Sequence, residues 1–198
     1  MVQHYYTESP ECEYRGYSIK TRIRGFDLEL DSSSGIFSAT KVDKGSRLLA
    51  ESMQIPQQAK VLDLGCGYGV LGIIAALIRP DSKVTLTDIN KRAVAVAQKN
   101  VKKLGLKNTK VLQGNIYEAV KDTVFNVILL NPPQTAGKEL CLKMLSEAPK
   151  YLKKGGSVQF VARHNKGGKT LFEYAKKFFN ESEILAKKGG YWIYKLVK

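Results

Sequence analysis

The chain has 198 residues, 43% hydrophobic and 25% charged, and its 32 lysines and arginines exceed its 18 aspartates and glutamates to give a net charge of +14. That apolar content excludes a disordered chain, and no apolar run reaches the roughly 18 residues of a membrane span. The charge points to a polyanionic partner, nucleic acid above all. At this length roughly 70% of the extended-chain surface is buried on folding, enough for one core with a small appendage. The N-terminal Met-Val-Gln-His-Tyr-Tyr has no signal-peptide pattern. Cys12, Cys66 and Cys141 form neither a zinc spacing nor a disulfide framework, so a reducing cytoplasm and no metal are expected.

In chain order, residues 17–24 and 26–30 alternate in period two around Gly25 and predict a hairpin. One face carries Lys20, Arg22 and Arg24, a basic ridge suited to RNA, over an apolar underside with Ile19 and Ile23. Residues 31–35 read as a polar connector. Residues 1–35 are therefore expected to be an extension to a body spanning 36–198. In that body strands are predicted at 61–64, 84–87, 110–112, 124–130, 157–162, 183–186 and 191–197. Helices are predicted at 70–78, from the Asn90 cap to Gly105, at 138–152 and at 169–179. Alternating strands and helices imply a doubly wound, mostly parallel α/β sheet of seven strands. Gly189-Gly190 closes the last two strands into an antiparallel hairpin. Lys166, Lys169, Lys176 and Lys177 read as a solvated face.

The segment VLDLGCGYGV sets Gly65, Gly67 and Gly69 between a strand and a helix. Glycines there allow positive φ and close backbone approach to a ligand, and the helix N-terminus supplies free N–H groups. Asp88 ends the next strand, where a carboxylate can accept ribose hydroxyls. Gly67, Gly69 and Gly72 also fit a dinucleotide fingerprint. Asp63 argues against a pyrophosphate and for a cationic ligand.

LDLGCGYG resembles motif I of class I S-adenosylmethionine (SAM) methyltransferases, and Asp88 matches their ribose-binding acid. The resemblance implies a Rossmann-like fold and SAM as cofactor. It also implies that Asp63 and the loop of Gly65, Cys66 and Gly67 hold the methionine end. Asn115 would face the adenine amine between Ile89 and Ile116. Cys66 is a small apolar filler, not a nucleophile.

The fourth predicted strand of the body runs into Asn131-Pro132-Pro133-Gln134. The prolines stiffen the backbone, and a carboxamide beside a carbonyl offers two acceptors to one –NH₂ group. Alone, the tripeptide is equally a loop stop. It resembles the Asn/Asp-Pro-Pro-aromatic motif of amine and amide N-methyltransferases. That implies catalysis by Asn131, Pro132 and Pro133, with Asn131 also beside the cofactor. Gln134 departs from the pattern, because it offers the target base no aromatic face. Phe37 or Tyr191 is expected to supply one.

Residues 35–49, GIFSATKVDKGSRLL, resemble the segment before motif I in the ribosomal RNA small-subunit methyltransferase C family and its compact archaeal relatives, which act on the N2 amine of guanine. Phe37, Asp43 and Lys44 are expected to close over the cofactor and receive the base. The bacterial members carry an additional N-terminal half, so RNA docking here is expected to come from elsewhere. The resemblance implies a guanine-N2 methyltransferase of ribosomal or transfer RNA, monomeric or dimeric. The alternatives are a protein glutamine N-methyltransferase and an adenine-N6 enzyme.

Overall fold

The computed structural model describes residues 7–198, so the N-terminal hexapeptide lies outside the described residues. Gly16–Ile23 (β1) and Phe26–Ser33 (β2) pair antiparallel as expected. Arg24 and Gly25 form the turn with φ of 51° and 84°, the two-residue geometry whose twist matches the strands. Arg24 therefore leaves the strand face. Its guanidinium donates instead to the carbonyls of Glu51 and Met53.

A helix that the strand-and-helix pattern did not predict follows, Lys44–Ser52 (α1). The order then runs Lys60–Leu64 (β3), Val70–Ile78 (α2), Lys83–Asp88 (β4), Lys91–Lys103 (α3), Thr109–Gln113 (β5) and Phe125–Leu130 (β6). Lys138–Glu147 (α4), Leu152–Arg163 (β7), Lys169–Ala175 (α5), Glu181–Lys188 (β8) and Tyr191–Val197 (β9) complete it. The predicted helix 138–152 stops early because Pro149 turns the chain into a 3-10 segment, Ala148–Tyr151, after which β7 begins at Leu152. The predicted helix 169–179 likewise ends at Ala175 and tightens into a 3-10 turn.

The seven-stranded sheet has the order β5-β4-β3-β6-β7-β9-β8. Strands β5, β4, β3, β6 and β7 are parallel, and β9 runs antiparallel to both β7 and β8. Alternation along the strands splits the core in two. Val61, Leu86, Val127 and Leu129 face α1, α2, α3 and the hairpin, whose Ile19, Ile23, Leu28 and Leu30 join the same cluster. Leu62, Leu64, Ile128, Leu130 and Phe160 face α4 and α5. The buried Asn100 of α3 ties the hairpin down: its Nδ2 donates to the carbonyls of Asp31 and Tyr68, both at 2.9 Å, and its Oδ1 accepts from Asp31 N–H at 2.8 Å. The order of strands reverses at β3, between β4 and β6, and ligands of such sheets bind at the carboxyl ends beside that switch.

Candidate active site

A cavity opens at that point, floored by the loop from β3 to α2. Gly65, Gly67 and Gly69 carry the chain through it with φ of 74°, 56° and 95°, conformations that cost other residues energy. Asp88, at the end of β4, lines the cavity. Its Oδ2 accepts from Gly67 N–H at 2.8 Å and its Oδ1 from Asn90 N–H at 2.9 Å. Burial raises its pKa, partly offset by those bonds. A carboxylate has about four acceptor positions, so with the Ile89 N–H also acting on it acceptor capacity is still left for a ligand. Asn115, Ile89 and Ile116 line the wall beyond. Ile116 has a φ of 49°, strained for a β-branched residue and held by its surroundings.

Asp63 sits behind this surface and does not line the cavity, contrary to the expected direct grip. It is 1% exposed, its Oδ2 accepts from Gly72 N–H at 2.7 Å, and its Oδ1 is buried without a partner. Burial pushes its pKa up to about 7, with the Gly72 N–H opposing and Asp88 adding to the rise. Its contact is with the first turn of α2, which it holds against the glycine loop.

Asn131 enters from the end of β6. Its Nδ2 donates to Ser46 Oγ at 2.8 Å and to Asp43 Oδ2 at 3.3 Å. The same Asp43 oxygen caps α1 by accepting from Gly45 and Ser46 N–H at 2.8 and 3.0 Å. A carboxylate only accepts, so the amide nitrogen must face it. Asn131 Oδ1 accepts nothing from the described residues. The Pro132 carbonyl accepts from Gln134 N–H at 2.8 Å across a tight turn centred on Pro133 (φ −74°, ψ 78°), which keeps one lone pair free. Phe37, 38% exposed, and the buried Tyr68 and Cys66 complete the walls. Burial, reinforced by Asp88 and Asp63, pushes the Cys66 thiol well up, so it stays protonated.

Thus Gly65, Cys66, Gly67, Asp88, Ile89, Asn115, Ile116, Phe37, Asn131, Pro132 and Pro133 share one cavity. Lys44 and Gln134 do not line it, and Gln134 Nε2 is buried without a partner. Lys20 and Arg22 lie outside it on the hairpin. There the register sets Glu29 opposite Lys20 and Asp27 opposite Arg22, and Arg22 Nε lies 3.8 Å from Asp27 Oδ1, while Glu29 and Asp31 pair with Lys103 and Lys99 of α3, so acids interleave with the expected basic ridge. Ser46 and Tyr68 are site residues that the sequence reading missed. For Ser46 the signal was there, in Asp43 preceding the Leu48-Leu49 pair, a helix start. Among the described residues, no cluster of three or more His, Cys, Asp or Glu could hold a metal ion. Among the same residues no helix is long and apolar enough to cross a membrane.

Comparison with known proteins agrees with this geometry. A family model described as methyltransferase small domain matches residues 27–195. The uncharacterized protein YbxB of Bacillus subtilis (strain 168) is 34% identical over the full length of both chains. The ribosomal RNA small subunit methyltransferase C of Hamiltonella defensa is 34% identical over 93% of this chain and 53% of its own. This chain thus spans about half the length of that relative. Among solved structures, a 16S rRNA N2 methyltransferase of T. thermophilus, in complex with AdoMet and guanosine, superposes with a TM-score of 0.79 at 26% identity, over 94% of this chain and 51% of that one. The family model covers most of the chain, and the chain belongs to the methyltransferase small domain family as a class I, S-adenosylmethionine-dependent methyltransferase.

Proposed function

We propose that the protein methylates the N2 amine of guanine in RNA, ribosomal or transfer, in a cytoplasmic setting, with residues 36–198 as the transferase body. The observation that carries this is the fixed amide of Asn131. With its nitrogen held by Asp43 and Ser46, the side chain turns an acceptor, not a donor, toward a substrate. An acceptor pair suits a group that brings two hydrogens on one nitrogen.

The residues present fit the cofactor. Asp88 has spare lone pairs beside an open loop, and a Cβ at Gly65 would meet nothing within 4 Å, so the backbone there is bare to a ligand. Asp88 would hold the ribose, Ile89 and Ile116 the adenine faces, Asn115 its amine, and the loop of Gly65, Cys66 and Gly67 the methionine end. Asp63 places a carboxyl behind that loop. When bound, S-adenosylmethionine supplies a methyl group on a positively charged sulfur. Asn131 Oδ1 and the Pro132 carbonyl accept the two amine hydrogens and orient the nitrogen lone pair. Positioning and exclusion of water carry the catalysis. On methyl transfer the nitrogen held by Asn131 Oδ1 and the Pro132 carbonyl would gain the methyl group from sulfur, which would keep the bonding pair, and would shed its surplus proton to water. Phe37, at the mouth, supplies the apolar face for the base that Gln134 lacks.

The RNA-modifying names of the half-matched relatives support this substrate, as does the charge of +14. Tritium transfer from labelled SAM to separated RNA, DNA and protein, followed by nucleoside mass spectrometry, tests it. N2-methylguanosine in RNA is the expected product. Label in protein glutamine, or N6-methyladenosine, would replace the proposed substrate with one of the alternatives.

A further inference from the structure

Cross-strand acids interrupt the cations of the hairpin face. Two stretches, residues 157–172 and 184–198, contain no aspartate or glutamate. The fold brings their ends together. β6 stops at Leu130, which pairs with Phe160, while β7 continues to Arg163 and so rises past the sheet edge where Asn131 stands. Arg163 pairs with Tyr191 of β9, and Tyr191 with Lys188 of β8. His164 N–H donates to the Gly190 carbonyl at 2.9 Å, fastening the β8–β9 tip to the end of β7.

This rim exposes Arg163, Lys166, Lys169, Lys187 and Lys188. Among the described residues none of the five forms an ion pair. Two are held by aromatic rings: Lys187 Nζ lies 4.1 Å from the Trp192 centroid, and the Arg163 guanidinium 5.5 Å from that of Tyr191. His164 stacks on Trp192 with centroids 3.5 Å apart. Such contacts fix cations in place while leaving their charge unneutralised. The rim also abuts the catalytic elements, since a Cβ on Gly45 would lie 3.1 Å from Tyr191 Cδ1. Gly45 adjoins Ser46, the partner of Asn131.

We propose that this acid-free rim binds the phosphodiester backbone of the RNA strand flanking the target nucleotide. The inference rests on RNA being the substrate. It reassigns Lys166 and Lys169 from a solvated face to a docking surface, and leaves Lys20 and Arg22 out of it.

The test uses purified small-subunit ribosomal RNA and polyglutamate as probes. Affinities are measured from 50 to 200 mM salt for the wild type, an Arg163→Gln/Lys166→Gln/Lys187→Gln variant and a Lys20→Gln/Arg22→Gln variant. Each lost phosphate contact lowers the slope of log affinity against log salt by about 0.7 for single strands. The rim variant should lose about 2 in slope and about tenfold or more in RNA affinity, with SAM binding by calorimetry and thermal melting unchanged. The hairpin variant should bind RNA within about twofold of wild type. An unchanged slope in the rim variant, an equal loss in the hairpin variant, or polyglutamate binding as tightly as RNA would overturn the proposal. Methyl transfer to protein alone, with rim-dependent RNA binding intact, would instead overturn the substrate assignment.

Discussion

At residue 131 a side-chain amide could lie either way round, and what decides is the charge on Asp43. Ser46 adds the second acceptor for the same N–H₂ group. One neutral hydrogen bond is worth about 1 kcal/mol, so Ser46→Ala should lower kcat about fivefold, with SAM affinity and melting temperature nearly unchanged. Ser46→Thr, which keeps the hydroxyl, should restore part of it. Asn131→Ala removes an acceptor aimed at the reacting group and should cost about 100-fold in kcat, again with SAM affinity intact by calorimetry. Loss of SAM binding in either variant would make these residues part of the cofactor site instead. Asp63 bears on pH. Its pKa rises from 3.8 to about 7 on folding. Such a carboxyl favours the folded state below its unfolded value and loses that contribution as pH climbs through the folded one. Wild-type stability should therefore fall relative to Asp63→Asn between about pH 4 and 7, by up to about 1.4 kcal/mol per unit, as read from urea melts. Gly65, Gly67 and Asp88, which line the cavity, were legible because the glycines stand between a strand and a helix and Asp88 ends the next strand, whereas the place of Asp63 behind the loop was not. Ser46 was legible as part of a helix start, but its pairing with Asn131, 85 residues further on, was not, and neither was the place of Tyr68 in the cavity wall.

At the scale of elements, α1 places Ser46 and Asp43 against Asn131. Its N-terminus can reach β7 and β9 only because residue 45 has no side chain. A Cβ there would lie 2.9 Å from Asp43 Oδ2 and 3.1 Å from both Tyr191 Cδ1 and Val161 Cγ2. Gly45→Ala is therefore expected to displace the start of α1, at about 1–3 kcal/mol of stability from overpacking. Turnover should fall with it, since the Asp43 and Ser46 contacts move. Urea denaturation and single-turnover kinetics on the same preparation would check both effects. α1 is not marked in the strand-and-helix pattern because its nine residues include Gly45, Ser46 and Ser52 and only one short apolar stretch, Leu48 to Ala50, too little for a clear helical period. The ends of α4 and α5 were overrun for another reason: 3-10 turns continue their apolar spacing after the α-helix has stopped.

For the molecule as a whole, the seven strands and their mixed directions followed from the rhythm of apolar runs and the closing Gly-Gly turn, with the central β3, β6 and β7 largely buried and the edge strands β5 and β8 not. The surface electrostatics did not follow. Lys20 and Arg22 look basic along the chain, but whether they stay so depends on register, which brings Glu29 and Asp27 across from them. Conversely, residues 157–172 and 184–198 become one positive rim only once β9 lies beside β7.

Asn90 joins two parts of the mouth. Its backbone N–H donates to Asp88 Oδ1, and its Nδ2 donates to the Gly35 carbonyl at 2.8 Å, just ahead of Phe37. Whatever engages Asp88 thereby steadies the segment meant to admit the nucleotide. Turnover should accordingly follow a compulsory sequence, small molecule first and polymer second. Demethylated by-product would then compete with SAM alone, and inhibition patterns showing random entry would break the link.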